Sequence, residues 1–142
     1  MRAVNSRDLR ARRVNAGCWC FHDENDSRAR IAWNILRNDR GLVPLHWWFE
    51  IGNLVLTGER RKRVTEQHVA NFLQRLERFT IDIAPLPDRP TVLALARKHR
   101  LTFYDAAYLE LAQRQNIPLA TLDDDLAAAA RAEGVRLIGS TD

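Results

Sequence analysis

The chain has little cysteine: Cys18 and Cys20 are the only two in 142 residues. Two thiols so close together build no disulfide framework, and without a second ligand pair they make no zinc site, so both are expected as reduced, small apolar residues. No apolar run approaches the length that crosses a bilayer. Arginines near the amino end are followed by neither a continuous apolar segment nor a small-residue cleavage site, so no secretory leader is expected and the cytoplasm is the expected compartment. Glycine loops of the G-x-G-x-x-G or G-x-x-x-x-G-K-[ST] kind are absent, as is a G-x-S-x-G elbow, which sets aside nucleotide-cradling loops and a serine nucleophile. His22, His46, His68 and His99 lack i, i+4 pairing or any other metal-ligand spacing, and are expected at the surface or an interface.

What is present fits one soluble globular domain over residues 1–142. Hydrophobic residues make up 46% and charged residues 28%. A chain of this length buries roughly two-thirds of the surface its unfolded form exposes, enough for one core. The net charge of +4 favours encounter with polyanions, an attraction that salt weakens. Its densest patch, Arg60-Arg61-Lys62-Arg63, suits a solvated helix end as well as a phosphate-binding surface.

Short apolar runs alternate with helical patterns along the last two-thirds of the chain, which predicts an α/β domain around a mainly parallel sheet. "GLVPL" (41–45), "IDIAPL" (81–86), "IPLATL" (117–122) and the closing "VRLIG" are expected strands. "TEQHVANFLQRLERF" (65–79) carries Val69, Phe72, Leu73, Leu76 and Phe79 on one helical face. "DRPTVLALARKH" is a helix with Asp88 as N-cap, "LTFYDAAYLELAQRQN" one opened by Thr102, and "DDDLAAAARAEG" one ended by Gly134. "HWWFEIGNLVLTGERR" is apolar on nearly every side before turning basic, and "CWCFHDENDSRARIAWNIL" supplies an early helix with an acidic loop.

Three carboxylates sit awkwardly in this pattern. Glu50 interrupts "LHWWFEIGNLVL", with Trp47 and Leu54 within one helical turn, so partial desolvation is expected and an unpaired charge there would be costly. Asp105 follows Thr102 by three residues, at the positive end of a helix. Asp123 directly follows a strand, with Asp124 and Asp125 behind it, where one aspartate suffices for a cap. Two acids at junctions near the carboxyl edge of a parallel sheet, plus one semi-buried acid, suit a hard cation such as Mg²⁺ or Mn²⁺.

The segments "PLHWWFEIGNLVLTGERRKRVT", "LTFYDAAYLELAQRQNIPLATLDDDLAAAA" and "GVRLIG" together resemble a PIN domain of the VapC type, the toxin half of bacterial type II toxin–antitoxin pairs, over about residues 18–140. That resemblance implies a compact three-layer α/β/α fold and a metal-dependent endoribonuclease acting on an RNA substrate. It also implies a commonly homodimeric protein inhibited by a small antitoxin. It assigns the acidic site to Glu50, Asp105 and Asp123, with Thr121 as a supporting hydroxyl and Asn53 as a polar position one turn beyond the glutamate.

A fourth acid of the family belongs at the end of the first strand, nine positions before Phe21, where this chain has Arg12. "RARRVN" lacks the apolar residues of a central strand, so the first strand is expected to be degenerate or missing, and a cation at Arg12 would compete with a metal. Asp8, the nearest acid, is four residues out of register. GC-rich codons chosen for Arg10–Gly17 and read one nucleotide later give Val-Leu-Asp-Ala-Ser-Thr-Leu, with the aspartate beginning inside the Arg12 codon. A frameshift in an otherwise ordinary toxin gene is therefore one explanation of this amino end.

Three functions fit these observations: a Mg²⁺-dependent ribonuclease toxin, a catalytically impaired PIN-fold module that binds an antitoxin or RNA without cutting, and a basic α/β domain whose acids are all helix caps. Saturable binding of a divalent ion separates the third from the others.

Overall fold

A computed structural model describes residues 13–16 and 27–138. Asp8, Arg12, Cys18, Cys20, His22 and the acidic loop before Ser27 lie outside the described residues.

Four short parallel strands form the sheet, in the order β3-β2-β1-β4: β1 Arg13–Ala16, β2 Arg40–Val43, β3 Ile81–Ile83 and β4 Leu119–Ala120. Between them run α1 Ser27–Asn38, α2 His46–Arg60, α3 Glu66–Glu77, α4 Arg89–His99 and α5 Phe103–Gln115, and α6 Asp124–Ala132 follows β4. The helices pack with the parallel sheet as a three-layer α/β/α domain.

Local chemistry sets the helix starts. Thr65, Asp88, Thr102 and Asp123 each accept a hydrogen bond from a backbone N–H in the first turn of the helix that follows. Each such cap satisfies one of the donors that a helix start leaves open. Arg100 and Asn116 close α4 and α5 in the left-handed conformation, with φ of 53° and 51°.

The core centres on α5, whose residues 106–112 are all buried. Leu109 and Leu119 are fully enclosed, each contributing about 1.5–3 kcal/mol by leaving water. The buried charge of Glu110 is met by Arg114, whose Nε lies 2.9 Å from Glu110 Oε1 and whose guanidinium also donates to the Pro85 carbonyl. In the same core Trp33 of α1 stands against Phe72 and Phe79, with centroids 6.1 and 5.1 Å away, while the Arg75 guanidinium lies over its ring.

One expectation is borne out in part and one is corrected. The first strand is short but not missing: β1 lies between β2 and β4, with Arg13 opposite Arg40 and Asn15 opposite Leu119. The polar Asn15 is accommodated at 0% exposure because its amide is paired to backbone. The closing "VRLIG" contributes a single bridge, Leu119 to Leu137, rather than a strand. The backbone bonds Leu119 N–H to Arg136 O and Ile138 N–H to Leu119 O fasten this segment to β4.

Candidate active site

Because all the strands run parallel, the segments that leave their carboxyl ends gather along one edge of the sheet. Asp123 follows β4 there, and α2, which follows β2, brings Glu50. Asp105 stands in the first turn of α5.

Asp105 is fixed through its backbone, whose N–H donates to Thr102 Oγ1 at 3.1 Å. Its carboxyl group is half-buried, and its pKa is raised above the usual carboxylate value. Burial is the largest cause, followed by the charge of Asp123; the Thr102 hydroxyl works the other way, Glu50 raises the value further, and His46 lowers it. Charges from α2 and from the N-cap of α6 therefore act on one carboxyl group.

Asp123 serves as N-cap of α6, with Oδ1 accepting from Leu126 N–H at 2.8 Å. Its own N–H donates to Thr121 Oγ1 at 3.1 Å, so Thr121 steadies the backbone that carries the acid. The capping role expected for an aspartate here is real. It occupies one carboxylate oxygen in a bond across the helix start. Asp124 and Asp125 are exposed in the first turn of α6.

Glu50 has a side chain 27% exposed, and its Oε1 lies 2.9 Å from His46 Nε2. The His46 ring is held between two tyrosines, 5.3 Å from Tyr104 and edge-on to Tyr108 at 4.9 Å. Two of the histidines expected at the surface or an interface are half-buried against other side chains. His46 is tucked between rings beside the acids, and the His99 side chain, 12% exposed, lies 2.6 Å from Glu133 Oε1. The spacing His46 to Glu50, one helical turn inside an aromatic stretch, is a signal in the sequence that could have found the first of these. Asn53 is exposed on α2 and is not drawn into this group.

Asn15 is the polar residue that sequence reasoning passed over. It is fully buried on β1, and its Nδ2 donates to the Tyr108 carbonyl at 2.7 Å, one turn along α5 from Asp105. Its Oδ1 is buried without a hydrogen-bond partner among the described residues. The neighbouring carbonyl fixes the amide orientation, since the reversed amide would set two oxygens against each other. The one polar side chain between Val14 and Ala16 was the available signal.

Burial first, and then the charges of Asp123 and Glu50, raise the proton affinity of Asp105, and carboxylates in one another's field are donors of the kind a divalent cation takes. Asp105, Asp123 and Glu50 are the residues that would hold it. They are not drawn into one coordination sphere: among the described residues no three His, Cys, Asp or Glu side chains form a group that could hold a metal ion.

Comparison with known proteins agrees with this architecture. No curated protein sequence matches the chain. The crystal structure of PAE2754 from Pyrobaculum aerophilum is similar to it, with a TM-score of 0.64 and 23% identity over 89% of this chain and 83% of that one, a likeness of fold. The PIN domain profile matches residues 15–132, from Asn15 on the first strand to the end of α6. A parallel sheet with acids beyond its carboxyl edge and a profile match over most of the sequence lead to one family: the chain belongs to the PIN domain family.

Proposed function

We propose that this protein is a metal-dependent endoribonuclease and the toxin of a toxin–antitoxin pair. PIN domains are generally nucleases, which sets the reaction class. The observation that carries the proposal is the Asp105 carboxyl group, pushed toward its protonated form by burial and by the charges of Asp123 and Glu50. Perturbed acids of this kind concentrate where a fold keeps charge for chemistry at the cost of stability.

In this proposal Asp105, Asp123 and Glu50 are the catalytic and metal-holding acids. A bound Mg²⁺ or Mn²⁺ would lower the pKa of a water and offset charge developing on the phosphoryl oxygens during in-line attack. Thr121 holds the backbone of Asp123, His46 orients Glu50, and Asn53 waits one turn further along α2. The positive net charge suits the RNA backbone. The partners proposed are a small antitoxin protein and a second copy of the chain.

The test is cleavage of structured RNA by the purified protein in Mg²⁺ or Mn²⁺, beside EDTA and an Asp105→Asn control, with growth arrest on expression as the check of toxicity. Cleavage that disappears in EDTA and in the variant is expected. RNA left intact under every metal condition by folded protein overturns the proposal.

A second reading, a PIN-fold module that binds RNA or an antitoxin without cutting, is favoured by Asn15. Among the described residues β1 supplies a buried amide, Asn15, and no carboxylate. Metal-independent RNA binding by a protein inert as a nuclease would establish it.

A further inference from the structure

We propose that Tyr104, backed by His46, is a stacking platform for one unpaired nucleobase of the RNA, next to the acids. The inference rests on the proposed nucleic-acid function and adds a binding residue to it.

Tyr104 is a large ring left 63% exposed in the first turn of α5, directly before Asp105. A single exposed ring is ordinary on a protein surface, and Trp48 and Phe49 are as open as Tyr104. Tyr104, however, is held in place. One side of it meets His46 at 5.3 Å between centroids and a 48° tilt, and His46 in turn meets the buried Tyr108 edge-on at 4.9 Å. The three rings form a ladder from core to surface, so Tyr104 is anchored from behind while most of it remains open to solvent.

The ladder also runs through the acidic group. His46 Nε2 is 2.9 Å from Glu50 Oε1, and His46 acts electrostatically on Asp105. A flat ligand laid on the open part of Tyr104 would therefore lie beside the carboxylates that the proposed reaction uses. Every nucleobase offers such a flat face, whereas a base inside a duplex keeps both faces covered by its neighbours. The surface thus selects a nucleotide that is single-stranded or flipped out of a loop. The chain's net charge of +4 matches the phosphates attached to that base.

The test uses a short single-stranded RNA containing 2-aminopurine, titrated with the full-length protein in EDTA so that cleavage does not compete. Binding is expected to quench the 2-aminopurine fluorescence. Tyr104→Ala should abolish the quenching and weaken binding about tenfold, the loss expected from removing one base–aromatic stack. Tyr104→Phe should preserve both, and binding of a fully paired duplex should be indifferent to either change. Quenching and affinity unchanged in Tyr104→Ala would overturn the proposal, as would a wild-type protein that never quenches the probe. Unchanged RNA affinity with a dimer split into monomers in Tyr104→Ala would assign the ring to a protein interface and equally overturn it. Cleavage measured separately in Mg²⁺ keeps the two ideas apart: no cleavage with quenching intact removes the nuclease and leaves the platform, whereas cleavage without quenching removes the platform alone.

Discussion

His46 and Glu50, one turn apart on α2, meet at 2.9 Å between Nε2 and Oε1. The contact orients a carboxylate that is also within the field of Asp105. Removing a group that orients a metal-holding residue costs about ten- to a hundredfold in metal affinity or activity. His46→Ala is expected to lower RNA cleavage by that factor with helix content by circular dichroism unchanged. Cleavage at the wild-type rate would show that Glu50 keeps its orientation without the imidazole.

Asp105→Asn should melt at a higher temperature than the wild type at neutral pH. The folded-state pKa of Asp105 is raised, so the stability this group contributes is complete below its unfolded value and is lost as pH rises through the folded one. At neutral pH the charged form is the disfavoured one, and the neutral amide relieves it. Asp123→Asn, which removes the second-largest cause of that raised pKa, should act in the same direction. Asparagine caps a helix as well as aspartate does, so the cap to Leu126 survives. A drop in Tm for Asp105→Asn would mean that the helix-start role of the carboxylate outweighs the repulsion.

Asn15→Asp and Arg12→Asp, made separately, locate the first-strand acid functionally. If the buried β1 position faces the metal-holding group, Asn15→Asp should tighten Mn²⁺ binding at least tenfold by calorimetry and raise cleavage in step. If the shifted reading frame describes the ancestral gene, Arg12→Asp is the variant that gains. No gain from either would show that the first strand's missing acid does not limit the site, and the nucleotide sequence of the locus decides the frameshift directly.

Glu133 ties three helices together, receiving Lys98 Nζ at 2.7 Å, His99 Nε2 at 2.6 Å and Gln113 Nε2 at 3.1 Å. The Lys98 and His99 hydrogen bonds are the leading causes that lower its pKa to about 2. A lowered carboxylate pKa contributes stability that is present above the unfolded value near 4.5 and is lost as pH falls toward about 2. Glu133→Gln is expected to lose roughly 1 kcal/mol at neutral pH, allowing for solvent screening of the exposed Lys98, and to flatten the acid limb of the stability curve. Urea unfolding at neutral pH and near pH 3 measures both. An acid limb as steep as the wild type's would place the acid sensitivity elsewhere.

Much of the fold was legible because the caps are local. Asp88, Thr102 and Asp123 announce their helices by residue type alone, and the structure places a cap at each. Glu50 was legible for the same kind of reason, a charge set among aromatic residues. The first strand was not, because four residues with an arginine and an asparagine carry no apolar pattern; what makes Arg13–Ala16 a strand is pairing with β2 and β4, which local sequence does not encode. The closing strand failed in the opposite direction. "VRLIG" has strand composition but finds backbone partners for only a single bridge. His46 escaped because its place depends on Tyr104 and Tyr108, more than fifty residues away.

The position of β1 carries a cost in how the molecule assembles. Among the described strands it alone joins β2 to β4, and its partner Leu119 emerges from the ribosome about a hundred residues after Asn15. Until then the nascent sheet has an open flank, and closing it requires contacts of high sequence separation, the kind that form slowly. A chain delayed at that stage exposes unpaired strand edges to its neighbours, so aggregation during synthesis, rather than low stability once folded, is the failure to which weakening of residues 13–16 would lead.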